Sequence, residues 1–218
     1  MIVAASKDLR PELGAARDQG CRPTCCAFAC SDLHAAARSP WAELSPEYAH
    51  FQGARRQCTG RGDGMRLRTM LDVLHHDGQP SELAWPYSRA RDPYAAKWEP
   101  PPNVGELFRA TARRVASDDV DAVRAAIDRG CPVVMVLAIS EAFFFGGGDE
   151  GVIDSAEAVD GLRFHAVLAV AHGSHTGESV TLVRNSWGTS WGLNGHAWLT
   201  DRYLKPRLRE WATLTKVT

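Results

Sequence analysis

The sequence predicts an α+β protein, with a mainly helical first half and a mainly β second half. Amphipathic helical runs follow one another as far as residue 75, and a proline-rich stretch then breaks the pattern. Apolar segments bounded by glycines dominate from residue 133 onward. Because helices and strands do not alternate along the chain, the pattern differs from that of an α/β fold.

Three helices are expected in the first half and one in the second. The first opens just after a Pro-Thr pair and stops at Ser-Pro, while the second has proline at its first position. The third ends at Asp-Gly. The predicted helices span 25–38, a segment from residue 46 onward, 65–75 and 118–129. His34, His75 and His76 are expected on helix surfaces.

The strands are expected at 133–139, 164–171, 180–185 and 195–200. Residues 84–105 hold five prolines and are predicted to be a loop. We therefore expect one domain with two lobes that cross over in this loop. The helical lobe would cover about residues 18–100 and the β lobe about residues 101–218.

Composition excludes several classes of protein. A net charge of −1 gives no electrostatic basis for binding nucleic acid or an acidic membrane surface. No apolar run approaches the roughly 18–20 residues needed to cross a bilayer. The start of the chain lacks the basic and apolar segments of a signal peptide. We expect no nucleic acid, membrane, metal or cofactor as a partner.

Six cysteines are present, four of them within ten residues, and Cys25 and Cys26 are adjacent. The chain is long enough to fold without disulfides, so most are expected to be thiols in a reducing compartment. This pattern indicates synthesis in the cytoplasm, with delivery elsewhere left open. A metal or redox module built on Cys21, Cys25, Cys26 and Cys30 is an alternative, although their spacing spreads the side chains around a helix.

Three separate features supply the parts of a nucleophilic site. Cys25 opens a helix, whose N-terminal N–H groups stabilise a thiolate, and the Gln19 amide lies six residues upstream as an oxyanion donor. His165 opens an apolar strand and offers a base. Asn185 ends another strand and could orient the imidazole, with Trp187 covering that hydrogen bond. Taken alone, each feature is more typical of ordinary packing.

Together these segments resemble the papain-like cysteine peptidases. They read Gln19-Gly…Cys-Cys-Ala-Phe, His165-Ala-Val-Leu-Ala-Val and Asn185-Ser-Trp-Gly-Thr-Ser-Trp-Gly. The spacing from Cys25 is 165 − 25 = 140 residues to the histidine and 185 − 25 = 160 to the asparagine. The family places both about 130–150 residues downstream, so the spacing to the histidine fits and the spacing to the asparagine is slightly longer than usual.

The resemblance implies a papain-like two-lobe fold, with a β-barrel-like second lobe and the active site in the cleft between the lobes. Cys25 would be the nucleophile, His165 the base and acid, and Asn185 the residue that orients His165. Gln19 would form the oxyanion hole, and Trp187 would shield the His–Asn bond. Protein or peptide substrates are implied, and a protein inhibitor or regulatory partner is a further expectation. The residues that would line the substrate subsites are Pro23, Thr24, Gly62, Asp63, Gly64, Met65, Phe164 and Ala166.

The sequence also departs from the family pattern. Arg22 stands where a disulfide cysteine is usual, and the partner cysteine near Gly62 is missing as well. Cys26 replaces the usual aromatic residue and is either a core residue or a resolving thiol. Few residues precede Gln19 where the family carries an inhibitory pro-segment, so either the segment was trimmed or the protein is made ready to act. The disulfide-poor pattern resembles bacterial members.

The sequence is compatible with two other functions. One is acyl transfer to an amine through the same thiol, and the other is a catalytically silent peptide-binding domain with the same fold. The segment 143–157, which is rich in phenylalanine and glycine, is either a mobile flap or a plain connection.

Overall fold

The computed structural model describes residues 3–89, 98–159, 161 and 163–217. Short 3₁₀ turns occur at Arg10–Glu12, Glu82–Ala84 and Gly148–Glu150. The helices and strands are, in chain order, β1 (Ala4–Asp8), α1 (Cys25–Ala36), α2 (Pro46–Gln57), α3 (Leu67–His76), β2 (Ala110–Val115), α4 (Val120–Asp128), β3 (Val133–Ala138), α5 (Glu141–Phe144), β4 (Val152–Ile153), β5 (Phe164–His175), β6 (Glu178–Arg184), β7 (His196–Thr200), α6 (Asp201–Leu204) and β8 (Leu208–Val217).

The chain divides into two compact units. One, called the β unit here, comprises Met1–Asp18 with Arg114–Thr213, and the other, the helical unit, comprises Gln19–Arg113 with Leu214–Thr218. No helix in the described part of the chain is long and apolar enough to span a membrane.

The β unit is built on a sheet with the strand order β8-β3-β5-β6-β7-β4, and β1 also pairs with β5. Strand β5 is the central strand of this sheet, because β3, β6 and β1 all pair with it in antiparallel register. Its Val167 and Ala169 lie in a core that includes α4 and Phe143 of α5. All residues of β5 from His165 to Ala171 are buried, so both faces of the strand are covered, as its continuous apolar sequence requires.

The expectation of a β-barrel-like lobe is wrong, since the described strands form an open sheet that is mostly antiparallel. The last strand, β4, has two residues and pairs with β7 in parallel. Such a short edge strand ends the sheet, and closing a barrel would need continuous pairing between the two edge strands.

The helical unit contains α1, α2 and α3. Helix α2 begins as its sequence predicts, with Pro46 in the first turn and the Ser45 side chain accepting a hydrogen bond from Tyr48 N at 3.0 Å. Helix α1 is buried along most of its length, from Cys26 to Ala35. His34 therefore lies inside the unit, 0% exposed, and the expectation of a surface position is wrong. Its Nδ1 lies 3.1 Å from the Gln79 amide oxygen.

The four predicted helices and four predicted strands are all present, within a few residues of their expected bounds. Strands β1, β2 and β8 are not predicted by the sequence, and neither are the short elements α5, β4 and α6. The region 84–105 holds no strand and no helix beyond Ala84 among its described residues, and its part at 90–97 lies outside them.

Candidate active site

The β unit brings together His165 and Asn185, two residues that lie 20 positions apart in the sequence. His165 is the second residue of β5, and Asn185 directly follows β6, the neighbouring strand. The His165 Nε2 atom lies 2.7 Å from the Asn185 Oδ1 atom. An amide oxygen only accepts, so Nε2 donates in this bond. In the neutral ring Nδ1 is then the nitrogen that can take up a proton.

The orientation of the Asn185 amide is fixed by a second hydrogen bond. The Ser186 backbone N–H donates to the same Oδ1 atom at 2.8 Å. The Asn185 backbone N–H donates to the Gly195 carbonyl at 2.9 Å, which ties the end of β6 to the turn before β7. His165 and Asn185 are 5% and 2% exposed, so their hydrogen bond is largely screened from water.

Aromatic side chains surround the imidazole. The Trp187 ring lies 4.7 Å from the His165 ring between centroids, and the Phe143 ring lies 5.7 Å away. Phe143 also contacts Trp191, whose indole N–H donates to the Phe143 carbonyl at 3.1 Å. Phe144 stacks on Trp187 at 5.2 Å. This cover keeps water from competing for the bond between His165 and Asn185.

Sequence reasoning found Trp187 and missed Phe143 and Phe144. The structure places both in α5, at the start of the segment 143–157, for which the sequence leaves a mobile flap and a plain connection open. The run of three phenylalanines, Phe143 to Phe145, was the available signal. Three adjacent aromatics in a turn rich in glycine need packing partners, and two of them pack on Trp187.

The helical unit positions Cys25 and Gln19. Cys25 is the first residue of α1 and is partly exposed, while Cys26 is 3% exposed and lies in the core. A thiolate at the start of a helix of 12 residues is stabilised by the helix dipole and by the N–H groups that point out of the first turn. Gln19 is 6% exposed, and its Nε2 donates to the Arg22 carbonyl at 2.7 Å.

Tyr87 connects the residues on either side of Cys25. Its hydroxyl donates to the Gln19 carbonyl at 2.7 Å and lies 2.9 Å from the Thr24 hydroxyl oxygen. The Tyr87 ring meets Phe28 of α1 edge-on at 4.7 Å between centroids. The pKa of the Tyr87 hydroxyl is raised, chiefly because the group is buried, so it stays protonated and can donate.

The residues expected to line subsites differ in exposure. In the helical unit Pro23, Gly62, Asp63 and Gly64 are exposed, Met65 is partly exposed and Thr24 is buried. In the β unit Phe164 is 56% exposed and Ala166 is buried. The Thr24 hydroxyl is directed at Tyr87 rather than at solvent, and Met65 lies against Gly53 of α2.

The described residues contain no cluster of three histidine, cysteine or acidic side chains able to hold a metal ion. All six cysteines are described, and no disulfide joins any two of them. The alternative of a metal module at Cys21, Cys25, Cys26 and Cys30 therefore lacks a ligand set in this structure.

The model of a family described as "Papain family cysteine protease" matches residues 5–205. The chain belongs to the papain family. A cysteine protease of Blomia tropicalis is 28% identical over 196 residues, which cover 84% of this chain and 56% of that protein. Cathepsin K of Gallus gallus is 31% identical over 141 residues, 64% of this chain and 40% of that protein. The chain thus spans about half the length of these relatives.

Solved structures of papain-family proteins share the fold. Xylellain, a cysteine protease from Xylella fastidiosa, matches with a TM-score of 0.77 and 21% identity over 99% of this chain and 87% of that one. The Carica candamarcensis cysteine protease CMS1MS2, solved in complex with E-64, matches with a TM-score of 0.72 and 21% identity, covering 98% and 99%. At these identities the likeness supports the papain-like fold.

Proposed function

We propose that this chain is a cysteine peptidase that hydrolyses peptide bonds through a thioester formed on Cys25. The observation that carries the proposal is the buried hydrogen bond between His165 and Asn185 under an aromatic cover, which prepares one imidazole nitrogen for proton transfer. Membership in the papain family and the position of Cys25 at the start of α1 add support.

In the proposed mechanism the Cys25 thiol transfers its proton to His165 Nδ1, and the resulting thiolate attacks the carbonyl carbon of the scissile bond. The negative oxygen of the tetrahedral intermediate is stabilised by the Gln19 amide and the Cys25 backbone N–H. When the carbon–nitrogen bond breaks, the imidazolium gives its proton to the leaving amine.

Deacylation reverses these roles. His165 takes a proton from water, the hydroxide attacks the thioester, and the carbon–sulfur bond breaks to release the acid. Asn185 holds the ring plane through both halves of the reaction, because its Oδ1 is fixed by Ser186 N–H as well as by His165. An amine in place of water would give acyl transfer from the same thioester.

The first test is intact-mass labelling with E-64 under reducing conditions, followed by turnover of a peptide library. We expect one adduct in the wild type, none in Cys25→Ala, and one in Cys21→Ser, whose exposed thiol is the matched control. Peptide turnover should be lost in Cys25→Ala and His165→Ala. Labelling without turnover would indicate a silent peptide-binding domain, and an adduct that survives in Cys25→Ala would refute the assignment of the nucleophile.

A further inference from the structure

The helical unit buries a carboxylate that the proposed mechanism does not use. Glu47 of α2 is 0% exposed, and both of its oxygens accept hydrogen bonds from the Arg22 guanidinium, at 2.5 and 3.0 Å. The Trp98 indole N–H also donates to it at 2.7 Å, and Arg61 Nη2 lies 3.6 Å away. We call these four residues, Arg22, Glu47, Arg61 and Trp98, the Glu47 cluster.

Glu47 is charged inside this cluster. Burial by itself would raise the pKa of its carboxyl, but the hydrogen bonds and charge of Arg22, together with Trp98 and Arg61, hold that pKa below the usual value. A bidentate pair of hydrogen bonds between a guanidinium and a carboxylate fixes the relative orientation of the two groups as well as their distance. Arg22 is 4% exposed, so its side chain has little freedom to leave this geometry.

The backbone of Arg22 is where the cluster meets the candidate catalytic machinery. The Arg22 carbonyl accepts the hydrogen bond from Gln19 Nε2 at 2.7 Å, so it sets the plane of that amide and the direction of its other N–H. The Arg22 guanidinium also lies 4.7 Å from the centre of the Tyr87 ring. The side-chain amide of Gln19 is thus held by the Arg22 carbonyl. The backbone carbonyl of Gln19 is held by the hydroxyl of Tyr87, the ring that the Arg22 guanidinium contacts.

We infer that Arg22 and Glu47 are positioning residues for the oxyanion donor Gln19. The inference rests on the proposed function, in which the Gln19 amide stabilises the tetrahedral intermediate. The ion pair links the segment before α1 to α2 and to Arg61, and it does so without a covalent bond, since no cysteine of the chain is bridged. The ion pair thus joins these two segments at the position where the family pattern has a disulfide cysteine, and it does not depend on redox conditions.

The test separates positioning from general stability by comparing two reactions of Cys25. Amide hydrolysis forms an oxyanion, whereas alkylation of the thiolate by iodoacetamide displaces iodide and forms none. Arg22→Met should therefore lower kcat for a peptide substrate by about 10- to 100-fold, part of the effect of losing an oxyanion donor, with KM little changed. The rate of alkylation should stay within about twofold of wild type, because no oxyanion donor takes part in it.

A double-variant comparison shows whether Arg22 acts through Gln19. If it does, Gln19→Ala with Arg22→Met should be no slower than Gln19→Ala alone, since residues that act as a unit are not additive. Arg22→Lys, which keeps the charge but loses the fork, should recover part of kcat. Arg207→Met is the matched control, because Arg207 is a buried arginine of the β unit that donates to the Tyr203 carbonyl. Its kcat should equal that of the wild type.

Several outcomes would overturn the inference. These are an unchanged kcat in Arg22→Met, an equal fall in hydrolysis and alkylation, and a further large fall when Arg22→Met is added to Gln19→Ala. An unchanged kcat in Gln19→Ala would instead overturn the oxyanion assignment, and the positioning role with it. If Arg22→Met does not fold, Arg22→Met with Glu47→Gln replaces it, because the second change removes the buried carboxylate that would otherwise lose its guanidinium partner; it is read by the same two reactions.

Discussion

Replacing Asn185 by alanine removes the side-chain acceptor that the structure places on His165 Nε2. The two atoms lie 2.7 Å apart, and both residues are at most 5% exposed. A buried hydrogen bond to a group that becomes charged contributes about 1.5–3 kcal/mol. Since each 1.36 kcal/mol is a factor of about ten in rate, Asn185→Ala should lower kcat by about 10- to 150-fold.

The same substitution has a cost in stability that must be kept apart from the cost in rate. Ser186 N–H loses this acceptor, and an intramolecular hydrogen bond contributes about 0.5–1.5 kcal/mol to stability. Unfolding by urea should therefore be measured first, and kinetics should be run where the variant is fully folded. Asn185→Asp is the control, because it keeps an oxygen that can accept from both His165 Nε2 and Ser186 N–H.

The assay is turnover of a peptide substrate by wild type, Asn185→Ala, Asn185→Asp and His165→Ala. We expect Asn185→Ala to lie between the wild type and His165→Ala, because it leaves the base in place and disturbs only its orientation. A fall as complete as that of His165→Ala would mean that Asn185 does more than orient the ring. No measurable fall would refute the role of the hydrogen bond altogether.

Two further predictions concern stability. Burial, the largest effect, lowers the pKa of His34, His50 and His196 to about 4 from 6.5. The unfolded chain then binds more protons between these values, so the free energy of unfolding should fall as pH drops from 6.5 toward 4, by at most about 1.4 kcal/mol per pH unit for each histidine. Gly195→Ala should lower the free energy of unfolding far more than Gly177→Ala. The φ angles of the two glycines are similar, +82° at Gly195 and +84° at Gly177, but only at Gly195 would an added Cβ meet a neighbour, the Ala16 Cβ at 2.2 Å.

Urea titrations check both predictions. A flat profile of unfolding free energy between pH 4.5 and 6.5 would contradict the first, and His50→Gln should reduce its slope. The second would be contradicted by equal losses in the two glycine variants. Gly177→Ala is the matched control because it carries the backbone strain alone, about 1–2 kcal/mol.

Local signals predicted most of the fold. Helix α2 was expected from Ser45 and Pro46, and the strand β5 from the apolar run after His165, because capping residues and apolar periodicity act over a few residues. The missed strands β1, β2 and β8 have partly exposed sequences with charged residues, such as the exposed end of β8. Their pairing depends on partners far along the chain, which periodicity does not report.

The candidate site divides in the same way. The residues named from the sequence, such as Cys25, His165 and Asn185, belong to motifs in which residue type and spacing carry the chemistry. Phe143 and Tyr87 act through contacts with residues far away in sequence, at His165 and at Gln19. The surface placement of His34 failed for a related reason, since a short helix segment does not show which of its faces a second helix covers.

The Glu47 cluster shows why a departure from a family pattern can be read physically. An arginine in place of a cysteine at residue 22 first indicates only that a disulfide is absent. The structure adds a buried carboxylate with two-pronged contact to the same residue, and the carbonyl of that residue holds Gln19. A buried charge left without its partner costs about 3–5 kcal/mol, so neither residue can be lost alone without penalty. Such a coupled pair fixes geometry at a single point of the chain, and that point lies three residues before Cys25.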